Sequence, residues 1–172
     1  KKKIKEFSEL FRKLENKYGI PPEIVVAFWA METDFGAVQG NFPILNSLAT
    51  LAHDCRRSEL FQLELFSALK LIDRGNLQFD EKGAWAGEIG QVQMLPTDIL
   101  VYGTDGNNDG NIDLKSTPED ALATAYKLIS HLGWEPNEPW LDEVVLKENF
   151  QFGESGFGRE RSVKDWKNMG VD

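Results

Sequence analysis

A run of eight consecutive apolar residues, Ile24 to Met31, is the feature that most constrains how this chain of 172 residues folds. Pro21-Pro22 before the run favours a helix start, and Gly36 after it favours a helix end. The run is far shorter than the roughly 18 to 20 residues that cross a bilayer. Because a helix made from it is apolar on every face, we expect that helix to be central and buried.

Helical periodicity also dominates the rest of the chain. Apolar residues at three- and four-residue spacing predict further helices over about 3–17, 44–53, 59–74, 118–132 and 162–169. Ser58 and Thr117 are predicted to cap two of these helices, and Gly75 and Gly133 to end them. The helix over 59–74 is predicted to bury most of its apolar residues: Leu60, Phe61, Leu63, Leu65, Phe66, Leu69 and Ile72. The best strand candidate is short, Val144 to Leu146, so the predicted class is mainly α, with residues 1–172 in one domain.

The charge of the chain limits its partners. With 19 basic and 28 acidic residues, the net charge is −9, which argues against nucleic acid and anionic membranes as partners. A hydrophobic content of 41% is enough to form a core. The single cysteine, Cys55, excludes an internal disulfide and a cysteine-based zinc cluster.

Glu32 is the first candidate for chemistry, because it ends the apolar run. A carboxyl group there is partly removed from water and faces the negative end of its own helix dipole, and both effects favour the protonated form that a general acid needs. The alternative is that Glu32 is simply the first polar residue where a core helix reaches the surface. Asp34, two residues on, points away from Glu32 on a helix, so the two do not form a carboxylate pair.

The segment from Gly83 to Pro96 is a second candidate. Its glycines leave backbone amides uncovered, while Trp85, Gln91 and Gln93 supply an apolar face and amide groups suited to a sugar groove. A glycine-rich turn with Trp85 in the core is the alternative.

The segment from Asp105 to Asp113 is the third, because it fits the first nine positions of an EF-hand calcium loop. Position twelve is Ser116 instead of glutamate, so a later carboxylate, Glu119 or Asp120, would have to close the loop. A polar turn that binds nothing is the alternative.

In this order, these features resemble the B-type lytic murein transglycosylases, the family of membrane-bound lytic transglycosylase B. The match extends from about Tyr18 to Val171. The matching segments are Tyr18-Gly19-Ile20-Pro21-Pro22-Glu23-Ile24, Glu32-Thr33-x-Phe35-Gly36, Leu48-Ala49-Thr50-Leu51-Ala52, Arg56-Arg57, Trp85-Ala86-Gly87, Gly90-x-x-Gln93-x-x-Pro96, the calcium-type loop, Pro118-x-Asp120-Ala121 and Gly133-Trp134.

The resemblance implies a lysozyme-like α fold in which Glu32 is the catalytic acid. It places Gln93 in the sugar cleft, where we also expect Gln91 and Trp85. It further implies a structural Ca²⁺ ion bound by the loop; the implied ligands are Asp105, Asn107, Asp109, Asn111 and Asp120.

The implied substrate is the glycan strand of peptidoglycan, cut between N-acetylmuramic acid and N-acetylglucosamine with formation of a 1,6-anhydro ring. The implied location is the periplasm or cell envelope of a bacterium, with a lipid anchor on the full-length precursor, and we expect a monomer. Family members continue past the position of Asp172, so we expect a C-terminally truncated form. Two alternatives remain: a lysozyme-type hydrolase, needing a second carboxylate that the sequence does not identify, and a non-catalytic peptidoglycan-binding or calcium-stabilised module.

Overall fold

Proline and glycine residues set most of the helix boundaries, as the sequence predicts. In the computed structural model, which describes residues 1–136 and 141–172, prolines stand at the starts of three helices and left-handed residues follow several helix ends. The elements are α1 (Lys2–Glu6), α2 (Ser8–Tyr18), α3 (Pro22–Thr33), β1 (Phe42–Pro43), α4 (Ile44–His53), α5 (Ser58–Asp73), β2 (Lys82–Gly83), α6 (Pro96–Tyr102), α7 (Pro118–His131) and α8 (Val163–Asn168), with a 3-10 turn at Phe152–Glu154. The mainly helical class is confirmed.

The chain divides into two compact units, Lys1–Pro136 and Asn137–Asp172. In the first unit, α7 is the central helix, because seven consecutive residues, Asp120 to Tyr126, are buried. Helices α2, α3 and α6 pack against α7, and α5 packs between α4 and α6. Trp134, near the end of this unit, donates its indole N–H to the carbonyl of Gly19, which follows α2, at 2.9 Å.

The prediction that α3 is buried on every side is wrong. Val25, Trp29 and Thr33 form its buried face, whereas Met31 is 85% exposed. The central position belongs to α7, whose small alanines allow neighbouring helices to approach from several sides. Helix α3 therefore lies at the edge of the core, with one face buried and the other exposed to solvent.

The predicted inner face of α5 is wrong for four of its seven residues, whereas Phe61 is buried and Leu65 and Ile72 are partly buried. Leu60, Leu63, Phe66 and Leu69 are between 43% and 61% exposed, while the buried residues of α5 are Phe61, Glu64, Ser67, Ala68 and Leu71. Ser58 is the first helical residue instead of the cap, and its hydroxyl donates to the Ala52 carbonyl at 2.6 Å.

Helix α6 was not predicted. Its first turn is held in place by Glu64, a charged residue that is buried in α5. Glu64 is 2% exposed, and its two carboxyl oxygens accept hydrogen bonds from the backbone N–H of Thr97 at 2.9 Å and the Thr97 hydroxyl at 2.6 Å. Thr97 lies in the first turn of α6, where backbone N–H groups lack helical partners. Glu64 therefore caps a neighbouring helix, which its own position in the sequence does not indicate.

Two smaller predictions in the first unit differ in detail. The helix over 3–17 is interrupted at Phe7, whose φ of −106° and ψ of 30° separate α1 from α2. Thr117 occupies the cap position of α7 without a capping hydrogen bond from its side chain.

In the second unit, the helix predicted over 162–169 is confirmed as α8, and the Ser162 hydroxyl caps it by accepting from the Asp165 N–H. The strand predicted at Val144 to Leu146 is reduced to one antiparallel bridge between Leu146 and Val171.

Candidate active site

Glu32 lies in the last turn of α3, where the helix reaches the surface. Asp34 follows as the residue that ends the helix, in a left-handed conformation with φ of 49°. Although the Glu32 side chain is accessible, neighbouring protein atoms displace water from its carboxyl group, and this partial burial raises its pKa. The prediction of a partly desolvated carboxyl at this position therefore agrees with the geometry.

Glu88 adds a second effect that the sequence did not reveal. The negative charge of Glu88 raises the pKa of Glu32 further, after the larger effect of burial. One carboxyl oxygen of Glu88, Oε2, is buried without a hydrogen-bond partner among the residues that the structure describes. Glu88 is therefore an acidic residue that sequence reasoning did not connect with Glu32. Its only sequence signal is an acidic residue within a segment that is otherwise rich in glycine.

Gln91 connects α3 to the Gly83–Pro96 segment. Its side-chain oxygen accepts from the Trp29 indole N–H at 3.1 Å, and its backbone carbonyl accepts from the Thr33 hydroxyl at 2.5 Å. Its amide nitrogen donates to the Lys115 carbonyl at 3.1 Å. Trp29 and Thr33 stand on either side of Glu32 in the same helix, so Gln91 fixes the end of α3 that carries Glu32.

The burial of Gln91 corrects its predicted role. The residue is 4% exposed and its amide group is hydrogen-bonded inside the protein, so the structure does not place it in an open groove. We therefore leave Gln91 out of the candidate sugar contacts. Sequence reasoning treated the two glutamines alike, because spacing does not show which of them points inward.

Gln93 is partly exposed and has an unusual backbone. Its φ of +49° lies in the left-handed region that residues other than glycine rarely adopt. Its amide nitrogen donates to the Gly90 carbonyl at 2.9 Å, which fixes the side chain. Within 1–136 and 141–172 its amide oxygen accepts no hydrogen bond, so that oxygen can accept one from a ligand.

Trp85 lies on the surface and not in the core. Its side chain is 65% exposed, which contradicts the alternative that it packs in the interior. With Leu51, Phe61 and the two arginines Arg56 and Arg57, it lines a cavity of 380 Å³. Glu32 is not among the residues of this cavity.

Gly40 allows the chain that follows α3 to pass close to the backbone of Gly83. A Cβ atom on Gly40 would collide with the backbone carbonyl of Gly83, and φ at Gly40 is +90°. This contact lies beside the β1–β2 pairing, in which Phe42 is opposite Gly83. The chain after α3 and the segment after β2 are therefore held together at their backbones.

The predicted calcium loop forms a closed turn of side-chain to backbone hydrogen bonds. Asp105 accepts from the N–H groups of Asp109 and Gly110 at 3.1 and 2.8 Å, and Asp109 accepts from the N–H of Asn111 at 2.8 Å. Asn107 accepts from the Asp109 N–H at 3.0 Å. Gly110 has φ of +90°, as the sharp turn at the sixth position of such a loop requires.

Asp120 closes this loop from the first turn of α7. It is fully buried, and its two carboxyl oxygens accept from the N–H groups of Gly106 and Asp113, each at 2.8 Å. Ser116, at position twelve, uses its own N–H to donate to Asp113 at 3.0 Å. The loop is thus closed at Asp120, four residues later than in a standard loop.

The residues fit a calcium ion in type and order. Carboxylate and amide oxygens at alternate positions are the hard ligands that Ca²⁺ prefers. In the described part of the chain, however, no cluster of three or more acidic, histidine or cysteine side chains is arranged around a possible metal position. The carboxylates here bond to backbone N–H groups instead.

An accessible carboxyl group with a raised pKa at the end of a helix is typical of enzymes that protonate a glycosidic oxygen. Comparison with known families agrees: residues 1–172 match the family described as Transglycosylase SLT domain. The chain belongs to this family, and its B-type lytic transglycosylases are the relatives that it resembles.

Among the relatives, membrane-bound lytic murein transglycosylase B of Escherichia coli K12 is 32% identical over 148 residues, covering 85% of this chain and 40% of that protein. SltB3 from Pseudomonas aeruginosa, solved in complex with NAG-NAM-pentapeptide, is 32% identical with a TM-score of 0.90, covering 99% of this chain and 46% of that one. Slt35 of Escherichia coli, solved in complex with calcium, is 30% identical with a TM-score of 0.84, covering 98% and 54%. The chain thus spans about half the length of these relatives.

Proposed function

We propose that this chain is the catalytic part of a lytic murein transglycosylase. Its substrate is the β-1,4 bond between N-acetylmuramic acid and N-acetylglucosamine in peptidoglycan glycan strands. The observation that carries the proposal is Glu32, an accessible carboxyl group with a raised pKa that Gln91 fixes at the end of α3. Structures of the relative SltB3 in complex with NAG-NAM-pentapeptide and NAG-anhNAM-pentapeptide support the choice of substrate and product.

The reaction uses one carboxyl group twice. Protonated Glu32 donates its proton to the bridging oxygen, and the bond between that oxygen and the anomeric carbon of N-acetylmuramic acid breaks. The N-acetyl carbonyl of the same sugar shields the positive anomeric carbon. The C6 hydroxyl oxygen then bonds to that carbon, and ionised Glu32 accepts the hydroxyl proton. No water is consumed, and Glu32 is again protonated.

Mass spectrometry of the products tests this proposal. Purified peptidoglycan digested with the chain should release muropeptides that end in 1,6-anhydro-N-acetylmuramic acid. A hydrated, reducing end would identify a hydrolase. Unchanged peptidoglycan, with binding retained, would identify a non-catalytic module.

A hydrolase is the second candidate, and Glu88 is the observation that favours it. Most glycosidases that use water have two carboxyl groups, one as acid and one as base or nucleophile. Glu88 is the second acidic residue whose charge acts on Glu32. The same product analysis separates the two functions, because the two products differ by one molecule of water.

We propose that Gln93 and Trp85 contact the glycan strand. The amide oxygen of Gln93, which accepts no hydrogen bond from the described residues, can accept one from a sugar hydroxyl or an N-acetyl N–H group. The exposed ring of Trp85 can pack against the apolar face of a sugar.

The two glutamines provide a matched test of these contacts. Gln93→Ala should lower kcat/KM about threefold to tenfold, as expected for one lost hydrogen bond, with a small change in melting temperature. Gln91→Ala should instead lower the melting temperature clearly, because it leaves the buried Trp29 N–H without its acceptor. Kinetics on soluble muropeptides and thermal unfolding check both. A large stability loss for Gln93→Ala with unchanged kinetics would make Gln93 structural.

We also propose that the loop from Asp105 to Asp120 holds a structural Ca²⁺ ion. The residues that would hold it are Asp105, Asn107, Asp109, the backbone carbonyl of Asn111, and Asp120. The calcium complex of the relative Slt35 supports this choice of ion. When bound, the ion would offset the mutual repulsion of the acidic side chains; the proton transfers above belong to Glu32.

Calcium is expected to stabilise the fold. An ion that binds only the folded state adds about 2.7 kcal/mol at a hundred times its dissociation constant, which corresponds to about 5 to 10 °C in melting temperature. Excess chelator should remove this gain, and Mg²⁺ should restore less of it than Ca²⁺. Thermal unfolding with chelator, Ca²⁺ or Mg²⁺ measures the effect.

Asp109→Ala should abolish the response to calcium, while Ser116→Ala should keep it, because Asp120 and not Ser116 closes the loop. If the melting temperature changes with neither chelator nor excess calcium, and calorimetry shows no heat of calcium binding, the loop is only a turn.

We further propose that the protein acts at the bacterial cell wall, where its substrate lies; the relative from Escherichia coli is described as membrane-bound. No helix within the described ranges has both the length and the apolar character needed to cross a membrane.

A further inference from the structure

The chain leaves α3 through three consecutive residues with left-handed backbone. Asp34, Phe35 and Gly36 have φ of 49°, 60° and 87°. Glycine adopts this region freely and aspartate tolerates it, but a phenylalanine there is strained. Strained backbone persists only where surrounding contacts hold it, and it is often found at functional sites. The turn begins two residues after Glu32, so the contacts that hold it also hold the helix end that carries Glu32.

The side chain of Thr33 makes two of these contacts. Thr33 is 2% exposed, and its hydroxyl oxygen accepts from the Gly36 N–H at 2.8 Å. The same hydroxyl donates to the backbone carbonyl of Gln91 at 2.5 Å. A hydroxyl has one proton to donate and lone pairs that accept, so both bonds exist at the same time. Thr33 therefore joins the turn after Glu32 to the Gly83–Pro96 segment.

Other contacts hold the turn close to Gln91. A Cβ atom on Gly36 would lie 2.7 Å from the side-chain oxygen of Gln91, so the approach requires glycine. The Gln39 amide nitrogen donates to the Gly36 carbonyl at 3.0 Å. Gln39 and Gln91 also donate to one carbonyl, that of Lys115, at 3.0 and 3.1 Å. Thr33 differs from these residues because it belongs to α3 itself and is next to Glu32.

We propose that Thr33 is a positioning residue for glycan cleavage: its hydroxyl fixes the last turn of α3, and with it Glu32, against the Gly83–Pro96 segment. This inference rests on the proposed function, because it takes Glu32 to be the residue that transfers the proton. Thr33 is buried, so it acts through Glu32 and makes no contact with the sugar. A proton donor must lie within hydrogen-bond reach of the bridging oxygen, so a displaced helix end slows the reaction more than it weakens binding.

Two substitutions separate the hydroxyl from the rest of the Thr33 side chain. Valine has nearly the shape of threonine but neither donates nor accepts a hydrogen bond, whereas serine keeps the hydroxyl. We expect kcat to fall about tenfold in Thr33→Val with KM within about twofold of the parent, and Thr33→Ser to recover most of the loss. Release of anhydro muropeptides from soluble glycan fragments at increasing substrate concentration gives both constants.

Amide hydrogen exchange followed by NMR tests the contact itself. In the parent chain the Gly36 N–H donates to the Thr33 hydroxyl, and the Val38 N–H donates to the Thr33 carbonyl at 2.9 Å. Thr33→Val should speed the exchange of the Gly36 N–H by about tenfold or more, and Thr33→Ser should restore it. Faster exchange confined to residues 33–38 means that the helix end opens while the rest of the unit stays folded.

Two further variants control this experiment. Trp134→Phe also removes one hydrogen bond from a side chain to a distant backbone carbonyl, that of Gly19, which lies near the first turn of α3 while Glu32 lies in the last. It should lower the melting temperature and leave kcat and KM unchanged. Thr33→Ala is a second variant without the hydroxyl, used if valine prevents folding, and it should lose kcat to the same extent.

Two results would overturn the inference. One is a kcat in Thr33→Val or Thr33→Ala within about twofold of the parent, which is less than one lost hydrogen bond predicts. The other is an equal loss in Thr33→Ser or in Trp134→Phe, since the loss would then reflect packing or stability and not the hydroxyl.

The parent chain separates this inference from the proposed function. If it releases no product, the proposed function fails, and the role of Thr33 fails with it. If it releases a reducing end, the transglycosylase assignment fails alone, and the same comparison of kcat still decides whether Thr33 positions Glu32.

Discussion

Glu32→Gln should remove glycan cleavage while leaving the fold and glycan binding intact. Glutamine has the shape of glutamate but cannot donate a proton as an acid or accept one as a base. Because Glu32 serves in both steps of the proposed reaction, we expect turnover to fall by at least the factor of about 10² to 10⁴ that general acid–base catalysis contributes. The release of anhydro muropeptides measures turnover, and pull-down with peptidoglycan measures binding.

Asp34→Asn is the matched control for that variant. It makes the same chemical change two residues further on, at a left-handed position that asparagine also tolerates. The control should keep parental turnover. Glu32→Gln activity within about threefold of the parent would be far smaller than a lost general acid predicts and would remove Glu32 from the mechanism.

Glu64→Ala should cause the largest loss of stability expected from the contacts described above. The substitution removes both hydrogen bonds to Thr97, leaves the N-terminus of α6 without its cap and opens a cavity in the core. We expect a loss of about 3 kcal/mol in the free energy of unfolding, or about 6 to 12 °C in melting temperature.

The matched control is Glu59→Ala, which removes an exposed glutamate from the first turn of the same helix. Its effect should stay within about 0.5 kcal/mol, as is usual for surface substitutions. Denaturant unfolding of the two variants measures the difference. Equal stabilities for Glu64→Ala and Glu59→Ala would mean that the carboxyl group of Glu64 contributes little to holding α6.

Sequence patterns located most helices, because proline starts and glycine ends act within a few residues. They failed where burial depends on partners distant in sequence. The apolar residues of α5 suggested one inner face, but Glu64 faces inward because the first turn of α6 needs a hydrogen-bond acceptor there. Helix α6 itself was missed although Pro96 and Asp98 occupy its first turn as typical start residues.

The candidate site was predicted in part. The position of Glu32 at the end of an apolar helix followed from local sequence alone. Glu88 could not be connected with Glu32, since the two lie in segments distant in sequence that are brought together by tertiary contacts such as the Gln91 hydrogen bonds. Likewise, Gln91 and Gln93 stand two positions apart, and only the turn between Ile89 and Met94 determines that the first is buried and the second partly exposed.

The Gln91 hydrogen bonds to α3 also bear on the order of events during folding. They join residues 62 and 58 positions apart, whereas hydrogen bonds inside a helix join residues four apart. Contacts between distant segments carry a larger loop-closure entropy and form more slowly than local helical turns. Helix α3 can therefore form before the segment carrying Gln91 and Glu88 docks against it. Until that docking, Glu32 is an ordinary solvated carboxyl group, so its raised pKa is acquired late, as a product of tertiary structure.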